Sequence, residues 1–262
     1  MQLDLTGRHA LVCGASQGIG RAIALELAEL GASITLLARS ADALAAVAAT
    51  LPTSAGQVHR YVVADTLDTA RLASVAIDVA KRSPVHILVN NSGGPPAGPA
   101  HTAEPDAYLT AFRQHLIAGQ TLVQAVLPGM REAGYGRIVN IISTSVKEPL
   151  PNLGVSNTVR AAVASWAKTL SVELAADGIT VNNVLPGYTR TARLDAIVAN
   201  GMRSSGNSQA DVERGMLAHV PAGRFADAAE VAAVAAFLCT PAAAYVNGVS
   251  IPVDGGRTRS LS

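Results

Sequence analysis

The sequence Gly14-Ala15-Ser16-Gln17-Gly18-Ile19-Gly20 follows an apolar run from His9 to Cys13 and opens an amphipathic stretch. Glycines at that spacing, between a strand and a helix, let backbone amides and the positive end of a helix dipole approach a pyrophosphate. An isolated glycine-rich turn arises easily by chance, but the flanking strand and helix make this one specific. The chain is therefore expected to begin with a βα unit shaped for a dinucleotide.

The same alternation continues along most of the chain, which predicts repeated βα units and a parallel sheet. Strands are expected at His9 to Cys13, Ser33 to Ala38, Val58 to Ala64, Ile87 to Asn90, Arg137 to Ile142, Thr180 to Leu185 and Val249 to Val253. Helices are expected to start near Gly18, Ala41, Asp68, Glu104, Val155 and Asp227. Seven strands make a doubly wound α/β sheet with helices on both faces. Hydrophobic residues are 49% of the chain and aromatics only 3%, so Ala, Val, Leu and Ile build the core, as buried parallel strands require. No linker divides the 262 residues, which predicts a single domain. Periodicity weakens from Tyr188 to Gly223, where Asn200-Gly201 and Ser204-Ser205-Gly206-Asn207-Ser208 interrupt it, so a lid over a site is expected at about 188–223.

A net charge of +1 offers no basic field for nucleic acid or an anionic membrane. Cys13 and Cys239 lie in apolar segments without a CxxC partner and are read as small buried side chains, and no metal site is expected. No leader and no apolar stretch of about twenty residues is present, which predicts a soluble, cytoplasmic protein. After the second strand the chain reads Leu37-Ala38-Arg39-Ser40, with no acidic residue to hold ribose hydroxyls. Arg39, helped by the Ser16 hydroxyl, is placed to face a 2′-phosphate, which favours NADP(H) over NAD(H).

These features and several others together resemble the short-chain dehydrogenase/reductase family, from Leu5 to Gly256. Matching segments are Thr6-Gly7, the glycine turn, Asp65, Asn90-Asn91-Ser92-Gly93, Gly136-Arg137-Ile138-Val139-Asn140-Ile141, Pro186-Gly187 and Val253-Asp254-Gly255-Gly256. Gly223-Arg224-Phe225 adds a likeness to bacterial β-ketoacyl carrier-protein reductases. The resemblance implies a Rossmann fold and reduction of a carbonyl in a small molecule or acyl thioester. It places Gly14, Gly18, Ile19, Gly20, Ser92 and Gly93 against the cofactor, Asp65 by the adenine ring and Asn90 by its ribose. Pro186, Gly187 and Thr189 would lie by the nicotinamide carboxamide. It also implies a homo-oligomer, dimer or tetramer, joined through the helices at 104–130 and 155–177.

The same resemblance exposes a departure. The family uses a serine to polarise the carbonyl, a tyrosine to donate the proton, a lysine to lower the tyrosine's pKa and grip the ribose, and an asparagine to hold a relay water. Aligned through Gly136-Arg137-Ile138, these positions fall on Ser143, Ser156, Arg160 and His115. Only the serine keeps its type. The Ser156 hydroxyl is a far weaker acid than a phenol of pKa about 10. Arg160 stays protonated and serves as a clamp at best. Three other groups are candidates for the acid: Lys147, four residues past Ser143; His115, in the proton path; and Tyr188, directly after Pro186-Gly187. Ser145 is an alternative carbonyl donor. Arg190, Arg193 and Arg203 could receive a substrate phosphate or carboxylate, and Pro95 to Pro99 could form a pocket wall. Three functions fit the residues: a reductase with an unusual proton donor, a nucleotide-binding protein without redox chemistry, or a non-redox enzyme on this fold.

Overall fold

The computed structural model describes residues 1–261. Its strands are β1 (His9–Cys13), β2 (Ser33–Ala38), β3 (Arg60–Val63), β4 (Ile87–Asn90), β5 (Gly136–Ile141), β6 (Ile179–Pro186) and β7 (Ser250–Val253). All pair in parallel in the order β3-β2-β1-β4-β5-β6-β7. The helices are α1 (Gly18–Glu29), α2 (Ala41–Ala48), α3 (Thr69–Arg82), α4 (Pro105–Phe112), α5 (Ala118–Glu132), α6 (Gly154–Glu173), α7 (Ala192–Ser205), α8 (Gln209–Leu217) and α9 (Ala228–Cys239).

The two-residue strand period divides the core between the two faces of this seven-stranded sheet. Ala10, Val12, Ile34 and Leu36 pack on the side covered by α1 and α9, whereas Leu11, Cys13, Leu37 and Leu88 pack with α3 and α5. Both cysteines are free and buried, and burial pushes each thiol up to about 12. Among the described residues, no helix is long and apolar enough to cross a membrane. Several helix starts are fixed by side chains: Ser40 accepts from the Ala43 amide, Asp68 from Arg71, and Asp227 forms a capping box with Glu230.

Three elements differ from expectation for local reasons. The third strand begins at Arg60 because side chains take over the preceding bonds: Val58 N donates to Ser33 Oγ at 3.0 Å and Ile34 N to His59 Nδ1 at 3.3 Å. The helix expected over 104–130 is interrupted by a π-helical segment, Arg113–Ile117, which carries His115. The segment 188–223 contains α7 and α8. Asn200-Gly201 lies within α7, where a Cβ on Gly201 would stand 2.9 Å from Val212 Cγ1; the glycine permits close helix packing. The real break is Gly206, at φ +72°.

Successive strands proceed from β1 through β2 to β3, then return to the other side of β1 at β4. This reversal opens a crevice at the carboxyl ends of β1 and β4. Gly14 leaves β1 there and Asn91 leaves β4; Asn91 Nδ2 donates to the carbonyls of Cys13 and Gly14 at 3.3 and 3.4 Å.

Candidate active site

The glycine turn is shaped by steric need. Gly14 and Gly18 have φ of +60° and +56°, a region that favours glycine. A Cβ on Gly14 would lie 2.6 Å from Asn91 Nδ2, and one on Gly20 would collide with the Gly14 carbonyl. Ser16 and Ile19 are half-buried beside them, while Gly93 across the crevice is exposed with open space around it. Arg39 is exposed just past β2, and Asp65 after β3 accepts from Leu67 N at 3.0 Å. At the other end, a Cβ on Gly187 would lie 2.7 Å from Asp254 Cα, which locks Pro186-Gly187 against the terminal motif. Thr189 is buried and donates to the Gly187 carbonyl at 3.2 Å. The residues present fit a dinucleotide: at Gly14 and Gly20 only backbone can face the crevice, and the Arg39 cation is exposed just past β2.

Two features of this region escaped sequence reasoning. Thr191 covers the glycine turn, since a Cβ on Gly18 would lie 3.2 Å from Thr191 Cγ2; its only signal was a threonine shortly after Pro186-Gly187. Across the sheet runs a row of amides in register: Asn90 Nδ2 donates to Asn140 Oδ1 and Asn140 Nδ2 to Asn183 Oδ1, both at 2.9 Å. Asn183 Nδ2 then donates to Ser250 Oγ at 3.0 Å. The signal was asparagine in otherwise apolar strands. This row orients Asn90, whose buried Oδ1 has no partner among the described residues.

Ser143 is the first position beyond Ile142 at the end of β5. It is extended, and its Oγ accepts from Ser145 N at 3.1 Å, which caps the short turn Thr144–Val146. Ser145 is buried, its Oγ without a partner among the described residues. Ser156 lies in the first turn of α6 and Arg160 one turn further on, each 7% exposed. Arg160 Nη1 donates to the Ile141 carbonyl at 2.9 Å. Burial, and secondarily the nearby Arg193 charge, bring its pKa down to about 10.

His115 Nδ1 lies 2.7 Å from Ser92 Oγ, and its buried Nε2 has no partner among the described residues. Burial, reinforced by the Arg160 charge, lowers its pKa to about 3. At neutral pH this imidazole is uncharged. Asn90, Ser92, His115, Asn140, Ile142 and Arg160 border one small cleft, which brings two further candidate site residues, Asn90 and Ser92, to His115 and Arg160.

Ser143, Ser156, Lys147 and Tyr188 do not border that cleft. Lys147 N closes the turn capped by Ser143, donating to the Thr144 carbonyl at 3.0 Å, and the residue is half-buried. The Tyr188 ring meets Phe225 edge-on, with centroids 6.1 Å apart, and Arg257 lies 4.9 Å from its centroid. Of the arginines between 188 and 223 that were candidates for a substrate anion, Arg203 is exposed on α7, Arg190 stands over Phe225, and Arg193 Nη2 donates to the Pro95 carbonyl at 2.9 Å.

The family profile described as enoyl-(acyl carrier protein) reductase matches residues 14–258, nearly the whole chain. This chain belongs to the short-chain dehydrogenase/reductase family. The NADPH-dependent reductase BacG of Bacillus subtilis is 30% identical over 259 residues, spanning 98% of this chain and 100% of that protein. The 3-oxoacyl-[acyl-carrier-protein] reductase FabG of Escherichia coli is 34% identical over 257 residues, spanning 97% and 98%. Among solved structures, the L-sorbose reductase of Gluconobacter frateurii, complexed with NADPH and L-sorbose, superposes with a TM-score of 0.92 at 30% identity, and both chains are fully covered. The doubly wound parallel sheet is thus that of a short-chain dehydrogenase/reductase.

Proposed function

We propose that this short-chain dehydrogenase/reductase uses NADPH to reduce the carbonyl of a small ketone, or of a 3-oxoacyl thioester, to an alcohol with a proton donor other than a tyrosine. The supporting observation is Ser143 at the carboxyl end of β5, the residue after Ile142, which borders the same cleft as Arg160, Asn90 and His115. NADP(H), when bound, supplies the hydride. The reductases named above as NADPH-dependent or bound to NADPH support that cofactor, as does Arg39, exposed where a 2′-phosphate would lie.

The Ser143 hydroxyl donates to the carbonyl oxygen as negative charge develops there. Ser145 stays the lesser candidate because its hydroxyl is buried. Arg160 holds ribose hydroxyls with N–H groups left over from its bond to Ile141. His115, uncharged with a pKa near 3, serves as a hydrogen-bonding partner of Ser92 and not as the cationic acid. Tyr188 is held by Phe225 and Arg257. Lys147, carried by the turn that Ser143 caps, is the proton donor we favour, on its closeness in sequence to Ser143.

The segment 188–223, with α7 and α8, acts as the lid of one dinucleotide-binding domain. The protein is cytoplasmic and works as a homo-oligomer, dimer or tetramer, because Leu109 and Phe112 on α4 and Val172 on α6 leave apolar surface exposed on the helices expected to pair. The test is substrate-dependent NADPH oxidation over a ketone panel, with wild type, Ser143→Ala and Lys147→Met. Loss of turnover in both variants, with NADPH affinity retained, supports the reading. Tight NADPH binding without turnover on any ketone would make this a nucleotide-binding protein, and product formation without cofactor consumption would make it a non-redox enzyme.

A further inference from the structure

Two guanidinium groups converge on the loop after β4. A Cβ built on Gly94 would stand 3.4 Å from Arg193 Nη2 and 3.5 Å from Arg160 Nη2. Arg160 is buried and Arg193, in the first turn of α7, is exposed to solvent above it. Their hydrogen bonds are to carbonyls only, Arg160 to Ile141 and Arg193 to Pro95. No carboxylate faces either one: the ion pairs among the described residues are Arg131 with Asp177, Arg214 with Asp211 and Arg224 with Glu230. Burial, and secondarily the Arg193 charge, lowers the pKa of Arg160, and burial lowers that of Arg193. A buried guanidinium such as Arg160 with a second cation beside it is unfavourable unless an anion joins them.

The cofactor's own anionic groups do not account for the pair. Its pyrophosphate belongs at the Gly14 to Gly20 turn and its 2′-phosphate at Arg39, whereas Gly94 lies beyond Ser92 and Gly93 and leads into the Pro95 to Pro99 wall. A planar carboxylate matches guanidinium donors, with charge-assisted bonds of about 2.8 Å from each side. From this juxtaposition we infer that the substrate is an oxo acid, whose free carboxylate is held between Arg160 and Arg193 over Gly94. The inference rests on the reductase reading and narrows it from ketones and thioesters to a free acid. Arg193 also ties the lid to the Pro95 carbonyl, so the carboxylate would be gripped by a side chain that moves with α7.

The test is calorimetric titration of 2-oxohexanoate, its ethyl ester and inorganic phosphate into the full-length protein, with and without saturating NADPH. Wild type, Arg193→Met, Arg193→Lys and Gly94→Ala are compared. The last places a methyl between the guanidiniums at ordinary contact distance and leaves the fold intact. The account predicts that 2-oxohexanoate binds the NADPH complex at least about tenfold more tightly than the ester. Arg193→Met and Gly94→Ala should erase that preference, Arg193→Lys should keep part of it, and NADPH affinity should be unchanged in all three. Equal affinity for acid and ester, tighter binding of phosphate, an unaltered preference in Arg193→Met, or displacement of 2-oxohexanoate by NADPH would each overturn the carboxylate site. Failure of NADPH to bind would sink the reductase reading separately, since the titration without cofactor still compares acid with ester.

Discussion

Ser143 and His115 divide the chemistry at the scale of single residues. Ser143 presents a hydroxyl at a strand end, held by one bond from the Ser145 amide, so its removal should cost transition-state stabilisation more than fold stability. Ser143→Ala is expected to lower kcat/KM by about 10²–10³, the usual effect of losing one donor to a developing oxyanion, with an unchanged melting curve. His115 affects stability through pH. Its folded pKa of about 3 lies below the ordinary 6.5, so the unfolded chain binds the extra proton as pH falls. The contribution of the neutral imidazole is fully present above pH 6.5 and is lost toward pH 3, with a slope of up to about 1.4 kcal/mol per pH unit. His115→Gln should flatten the acid side of the stability curve, measured by urea unfolding between pH 7 and about pH 4; an unchanged slope would show that His115 is not the group responsible. The family resemblance, followed from β5 into α6, singled out Ser143, Ser156 and Arg160; the last two are buried on α6, and Ser143 caps the turn after β5. Neither the suppressed basicity of His115 nor the row Asn90, Asn140 and Asn183 could be read there, because both depend on which strands and helices become neighbours.

At the scale of elements, the first βα unit has little tolerance. The Gly14 carbonyl occupies the place a Gly20 Cβ would need, so Gly20→Ala must displace either α1 or the turn. Overpacking of this kind costs roughly 1–3 kcal/mol, and the displaced turn should also lose NADPH affinity. Thermal melting together with cofactor titration checks this, and a variant with wild-type affinity would contradict the cradle. Strand-to-helix alternation revealed all seven strands; β1, β2, β4, β5 and β6 are largely buried apolar runs, whereas the edge strands β3 and β7 are half-buried or exposed. Helices α7 and α8 were missed for a physical reason. Leu194, Val198 and Met202 do repeat at helical spacing on α7, and with Phe225 and Val212 they form a small apolar cluster. Gly201 masked them, since its role in contact with Val212 becomes visible only when α8 folds back.

For the whole molecule, cofactor recognition becomes a property of stability. A ligand that binds only the folded state raises its stability by about 2.7 kcal/mol at one hundred times its Kd. NADPH should therefore raise the melting temperature more than NADH at equal concentration, and Arg39→Ala should remove the difference; equal shifts in wild type would assign Arg39 to the solvent. Family membership and cofactor cradle were legible because backbone geometry leaves glycine no substitute at Gly14 and Gly18. The proton route was not, since Ser156 and Arg160 state only what has been lost. The account turns on hydride reaching a carbonyl beside Ser143. Its most direct test is a single turnover of NADPH deuterated at the transferable position of the nicotinamide, with an oxo acid as acceptor and mass analysis of the product. The account predicts deuterium on the new carbinol carbon in wild type and its near absence in Ser143→Ala over the same interval. Product lacking deuterium, or equal transfer in the variant, would contradict it.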